Sequence, residues 1–280
     1  MTTQTPLDPS TPAPVTRPPR RTAALAVSIV TIVVGSLAFL GTVGGTAISA
    51  AATLSDSGYR GLDAQVSTRG LTGLDLDLAA GSLTIAYGDV TDAELAARVG
   101  GPGGWTFERR GDTLRVASPD RGVLSAWGSG RHSATLTLPR ELARTDIDAK
   151  LQVTGGSLDL DATFDDLRVE LAGGEVTLAG GARSLNLTVA GGSASTELED
   201  VDTAAFEVAG GELSVDLSGT TPSRTTVSVT GGSADIVLPD DTYRVSTDGV
   251  GSVDNSLRTS GSATAVVQVE AALGHVSLSS

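Results

Sequence analysis

Five glycine pairs begin at residues 155, 173, 191, 210 and 231, at steps of 18, 18, 19 and 21 residues. Each pair sits between two short runs in which apolar and polar residues alternate: LQVTGGSLDL at 151, VELAGGEVTL at 169, LTVAGGSAST at 187, FEVAGGELSV at 206 and VSVTGGSADI at 227. Alternation at period two is the pattern of a strand with one buried face. The last inward residue before each pair and the first after it are always five positions apart: Val153 to Leu158, Leu171 to Val176, Val189 to Ala194, Val208 to Leu213 and Val229 to Ala234. The same spacing returns at Leu78 to Leu83 and at Ala271 to Val276, which extends one architecture over residues 74–280. Glycine is required where two residues must turn the chain and return the same face inward, because positive φ is cheap only without a Cβ.

Parity alone does not separate a glycine corner in a coiled stack from a two-residue hairpin, since Gly-Gly is also a hairpin turn. Burial does favour one of them. A meander of one-faced strands leaves its apolar side open unless it curls up, whereas stacked coils cover each inward row with the coils above and below. The expected fold is therefore all-β, a β-solenoid, with a rolled antiparallel sheet as the alternative. Nine aromatics in 280 residues mean that its core is built from Val, Leu, Ile and Ala.

Ahead of the repeat the composition changes twice. Residues 1–22 hold six of the eleven prolines and end in Arg17, Arg20 and Arg21, which reads as a disordered cytoplasmic tail. Residues 23–48 carry no charge and exceed the roughly 20 helical residues that cross a bilayer. The preceding arginines orient this span with the N-terminus in the cytoplasm and the remainder exported. A cleaved export signal ending near Ala50-Ala51-Ala52 is the competing reading, but the apolar run is longer than a signal core of about 7–15 residues. Residues 49–73 read as a linker.

The exported part, 56–280, keeps all the acids but Asp8 and all the bases but the three tail arginines, so 32 acids face 16 bases, a net charge of −16. Nucleic acid, which is bound by neutralising phosphates, is an unsuitable partner. Cysteine is absent, and with it disulfides, thiolate metal sites and cysteine nucleophiles. His132 and His275 stand in no metal-ligand spacing, no GxSxG is present, and outward acids such as Asp159, Asp161, Glu197 and Glu199 follow no calcium-loop pattern. No cofactor, metal or catalytic residue is assigned, and the chain is not read as an enzyme.

The segments LDLDLAAGSLTIAYGD at 74, LTLPRE at 136 and the glycine-pair units from 155 to 234 resemble a family of bacterial membrane-anchored domains of unknown function known as putative adhesins, related to the exported part of some envelope-stress regulators. The resemblance covers about three quarters of the chain. It implies a β-helix-like fold outside the membrane, with no established enzymatic activity and no catalytic residues.

Residues 100–132 depart from the repeat. They hold both tryptophans, five arginines and three acids, a local charge of +2 in an acidic domain. Trp105, Arg109, Arg110, Trp127 and Arg131 are the candidate contacts for a partner protein or cell-wall polymer, through aromatic faces and charge-assisted hydrogen bonds. The structural alternative is that Trp105 and Phe107 cap the open end of the stack. A carbohydrate-active site in residues 100–133 is the rival function.

Overall fold

The computed structural model of the protein describes residues 60–99, 104–119 and 132–280. The expected tail, the expected membrane span and residues 49–59 lie outside the described residues. Within them the chain is all-β. Twenty strands join in one open sheet, and the one helical element described is the 3-10 turn Arg140–Arg144. No described helix is long and apolar enough to cross a membrane.

The segments that directly flank a glycine pair, such as 167–171 and 175–181, are not partners of one another. Each pairs in parallel with its counterpart in the neighbouring unit: Glu175–Val189 runs in register with Ser157–Leu171 along both its halves, so that Val176 lies beside Leu158 and Leu187 beside Val169. This builds two ladders joined at the glycine corners. The first runs through Thr113–Ala117, Gly73–Leu78, Asp148–Val153, residues 167–171, residues 184–189, Thr203–Val208, Arg224–Val229, Ala265–Ala271 and Thr242–Gly249. The second runs through Ser133–Pro139, Ser82–Gly88, residues 157–163, residues 175–181, Ser193–Glu199, Glu212–Ser218, Ser233–Val237, His275–Ser279 and Ser252–Asn255. Antiparallel pairing is confined to the N-terminal end, where Ala93–Val99 lies between Arg60–Val66 and Ser133–Pro139, and Thr106–Arg110 covers Thr113–Ala117. A rolled antiparallel sheet is thus not what the glycine pairs make. The sheet also begins at Arg60, inside the stretch expected to be linker.

Chain order and stacking order differ at both ends. Strands Thr113–Ala117 and Ser133–Pro139 lie outside Gly73–Leu78 and Ser82–Gly88, so strand Gly73–Leu78 has Thr113–Ala117 on one side and Asp148–Val153 on the other. At the far end the last unit, 265–279, is inserted between 224–237 and 242–255.

The core lies between the ladders and consists of straight files of mostly aliphatic side chains. One file is Val116, Leu76, Leu151, Val169, Leu187, Phe206, Val227 and Val269, and all are buried. The facing file is Leu136, Ile85, Leu160, Leu178, Thr196, Val215, Ile236 and Leu278. Each fully buried Val or Leu contributes about 1.5–3 kcal/mol, so regular files compensate for the shortage of aromatics. Thr196 breaks the pattern: it is 1% exposed between Leu178 and Val215, and its hydroxyl has no hydrogen-bond partner. An unpaired buried hydroxyl costs about 1–3 kcal/mol. Thr196→Val, which keeps the shape, is expected to raise the urea midpoint, with a gain of about 1 kcal/mol or more.

The corners set the repeat. The second glycine of each pair has positive φ, +86° at Gly192, and a Cβ there would lie 2.3 Å from the carbonyl oxygen of Gly174 one rung below. The same oxygen accepts the hydrogen bond of Ser193 N–H at 3.0 Å, so it cannot move away without breaking the ladder. The first glycine is less constrained. A Cβ on Gly191 would meet Ala172 O at 3.0 Å, and the equivalent position is alanine at Ala80 and leucine at Leu273.

Tyr243 closes the far end of the core. It is fully buried, its hydroxyl donates to Pro239 O at 2.6 Å, and burial, with the nearby Asp241 and Asp240, pushes its phenol up to about 12. The neutral phenol is the form the fold holds. Its stabilisation is therefore complete below the ordinary phenol value near 10 and is lost as pH rises towards 12. Denaturation midpoints are expected to fall across that window, and Tyr243→Phe to fall less steeply there while losing one hydrogen bond, about 1 kcal/mol, at neutral pH.

Candidate functional site

Residues 104–119, the described part of the region singled out by its tryptophans and arginines, lie at the N-terminal end of the first ladder. Strand Thr106–Arg110 turns through Gly111 and Asp112 into Thr113–Ala117, with Phe107 opposite Val116 and Glu108 opposite Arg115. Parity then divides the side chains. Trp105 and Phe107 face the core, and Thr106, Glu108 and Arg110 face outward.

Trp105 is 8% exposed and packs in the core, and its indole N–H finds no acceptor. This matches the capping alternative better than a sugar platform, which needs an open ring face. Arg109 is also committed internally: its guanidinium donates to the carbonyls of Ser67 and Arg69 at 2.9 Å and of Gly70 at 3.3 Å, and its Nε to Gly111 O at 2.6 Å. It fastens the 67–70 loop to the strand. Arg110 is available. Its side chain is half exposed and donates to Glu108 Oε1 at 2.7 Å, an ion pair of the surface kind worth at most about 1 kcal/mol. Trp127 and Arg131 lie outside the described residues.

Arg110 lines a shallow hollow of about 470 Å³ together with Glu108, Arg115 and Asp77. Nearby, Asp112 accepts the Thr72 hydroxyl at 3.0 Å, and that bond, with its own backbone N–H, holds its carboxyl below the usual range. The outward line continues beyond the segment that the sequence marked. Asp75 is paired in register with Arg115 on one side and Lys150 on the other, and Lys150 with Arg168. Lys150 and Arg168 belong to separate repeat units, and nothing local in the sequence joins them to Arg115. The inversion of stacking order brings the three onto one face.

A larger concavity, about 840 Å³, opens on the edge opposite the glycine corners, where Ala179, Gly180, Gly181 and Ala182 leave a notch. Seven acids and two arginines line it. Arg183 lies 2.8 Å from Asp165 and 3.6 Å from Asp146, a charge contact rather than an aligned hydrogen bond, since that Asp165 oxygen has no hydrogen-bond partner. Asp200 takes a φ of +56° there, and its Oδ1 accepts from the N–H and the hydroxyl of Thr220 at 3.0 and 2.9 Å. Among the described residues no group of His, Asp and Glu side chains has the arrangement of a metal site.

No protein-family model matches the chain, and no curated protein matches it. Among solved structures it is similar to a "putative cell adhesion protein" from Clostridium sporogenes, with 16% identity, a TM-score of 0.40, and 79% of this chain and 99% of that one covered. It is similar to a "putative lipid binding protein" from Parabacteroides distasonis at 12% identity and a TM-score of 0.44, over 78% of this chain and 96% of that one. A "putative adhesin" from Bacteroides fragilis matches at 16% identity and a TM-score of 0.33, over 78% and 97%.

Proposed function

We propose that the protein is a single-pass membrane protein that displays a β-solenoid outside the cytoplasmic membrane as an adhesin-like or envelope-sensing binding module. In this reading residues 1–22 are cytoplasmic, residues 23–48 cross the membrane, and the two ladders are the walls of the solenoid. The observation that carries it is the register. Outward side chains of successive units stand in straight files on broad polar faces, which is a geometry for contacting an extended partner rather than for enclosing a small molecule. The shallow, polar hollow beside Arg110 fits the same use. The partner is a cell-wall polymer or an envelope protein. The absence of charge from residue 22 to residue 55, with Arg17, Arg20 and Arg21 clustered before it and Asp56 the first charge after it, supports the topology.

The test is sedimentation of the full-length protein, in neutral-lipid nanodiscs, with purified cell walls. Binding that saturates without release of soluble fragments is expected. Fragment release identifies a carbohydrate-active enzyme instead, and no binding to walls or envelope proteins removes the proposal. Protease added outside intact cells is expected to reach residues 60–280 and spare the N-terminal tail.

A further inference from the structure

Four of the described cations are placed against acceptors: Arg110 on Glu108, Arg183 on Asp165 and Asp146, Arg258 on Asp240, Arg109 on four carbonyls. Lys150 and Arg168 instead face each other in register. They are directly paired on adjacent strands, on the outward face, and among the described residues neither forms an ion pair. Like charges on paired positions oppose each other. Asp75 is paired in register with Lys150, but no acid is paired in register with Arg168. Glu170 Oε2 accepts from Gln152 Nε2 at 3.3 Å, and Asp148 Oδ1 from the Asp166 N–H at 3.3 Å. On the other side of Lys150 the file continues through Asp75 to Arg115, which lines the hollow beside Arg110. Successive strands are about 4.8 Å apart, so Arg168, Lys150 and Arg115 stand at about 0, 5 and 14 Å along one line parallel to the stack axis.

We infer that this file, with Arg168 and Lys150 side by side and Arg115 beyond Asp75, is the seat of a linear polyanion, an envelope polymer carrying phosphodiester or carboxylate groups that runs along the stack axis. The inference rests on the binding-module reading above and gives its partner a chemistry. An anion lying between Lys150 and Arg168 removes their mutual repulsion and accepts from both. The acids at Asp75, Asp77 and Glu108 keep the far field weak, so the contact acts at short range and excludes densely charged duplexes, whose phosphates meet the −16 of the domain as a whole.

Full-length protein in neutral-lipid nanodiscs is titrated with long-chain polyphosphate, with polygalacturonate, with inorganic phosphate, with vesicles containing anionic lipid and with duplex DNA. The expected result is binding to polyphosphate or polygalacturonate, the stronger of the two identifying phosphodiester or carboxylate chemistry, with at least tenfold less for inorganic phosphate, vesicles and DNA. Lys150→Gln/Arg168→Gln is expected to weaken polymer binding tenfold or more and to flatten its salt dependence by about 0.7 per lost contact. Arg168→Glu is expected to abolish binding while leaving the melting temperature equal or higher, because it replaces a repulsion by an ion pair. Unchanged polymer binding in the double variant overturns the inference, as does a lowered melting temperature in Arg168→Glu, preferential binding to vesicles or DNA, or no binding to either polymer. Cell-wall sedimentation of the double variant keeps the two proposals apart: retained wall binding leaves the module reading standing without this seat.

Discussion

Gly192→Ala is expected to lower stability by about 2–5 kcal/mol, whereas Gly191→Ala, one residue earlier in the same corner, is expected to cost less than about 1 kcal/mol. Two terms combine at Gly192. A side chain at φ +86° is strained by roughly 1–2 kcal/mol. Its Cβ also falls 2.3 Å from Gly174 O, so the rungs must part, at an overpacking cost of about 1–3 kcal/mol. At Gly191 only the contact with Ala172 O at 3.0 Å must ease, and alanine already stands at the equivalent Ala80. A domain typically holds a margin of about 5–15 kcal/mol, so the first change consumes a large part of it. Urea denaturation of both variants measures the difference. Equal effects would mean that the pair is a flexible link and not a stacked corner.

The second large effect concerns the chain end. Truncation after Thr264 removes Val267, Val269, Ala271, Val276 and Leu278, all buried, and each buried Val or Leu is worth about 1.5–3 kcal/mol. It also removes the strands on which 242–255 depends. Thr242–Gly249 pairs with Ala265–Ala271 over seven residues, but with Arg258–Thr259 over only two, and Ser252–Asn255 pairs with His275–Ser279 alone. Amide hydrogen exchange is expected to show protection lost throughout 242–259 while 157–217 stays protected. Protection surviving at 244–249 would contradict the inserted position of the last unit. The arrangement makes 242–255 the far edge of the stack, held by chain on both sides, and 265–279 an inner rung. End fraying then needs the withdrawal of two inner strands rather than the peeling of one terminal one.

Much of this was legible in the residues. The five-position spacing across Gly155-Gly156, Gly173-Gly174 and their successors identified both strands of each unit and their inward faces, because a period of two leaves no freedom once one face is apolar. Which glycine of a pair is indispensable was less visible, although Ala80-Gly81 and Leu273-Gly274 show the second one kept where the first is replaced. Stacking order was not legible. Strand Thr113–Ala117 lies beside Gly73–Leu78 and the last unit lies inside the one before it, and local alternation is the same whichever neighbour a strand takes. The site reading was limited for the same reason. Composition drew attention to Trp105 and Arg109, but parity turns Trp105 into the core and the 67–70 carbonyls occupy Arg109. Lys150 and Arg168, 35 and 53 residues after Arg115 in the chain, share its face only because of the register.

The chain contains no cysteine, so pairs of spin labels can be introduced without background. Along the outward file Thr135, Thr84, Asp159, Thr177, Ser195, Ser214, Asp235, Ser277 and Asp254 stand one strand apart in that order. With one label at Thr135, pulsed electron spin resonance is expected to give distances that rise linearly at about 4.8 Å per strand, roughly 19 Å to Ser195, 29 Å to Asp235 and 34 Å to Ser277, with Asp254 farther still. Distances that pass through a maximum and shorten again, or Asp254 nearer than Ser277, would contradict the stacked ladders on which the account stands.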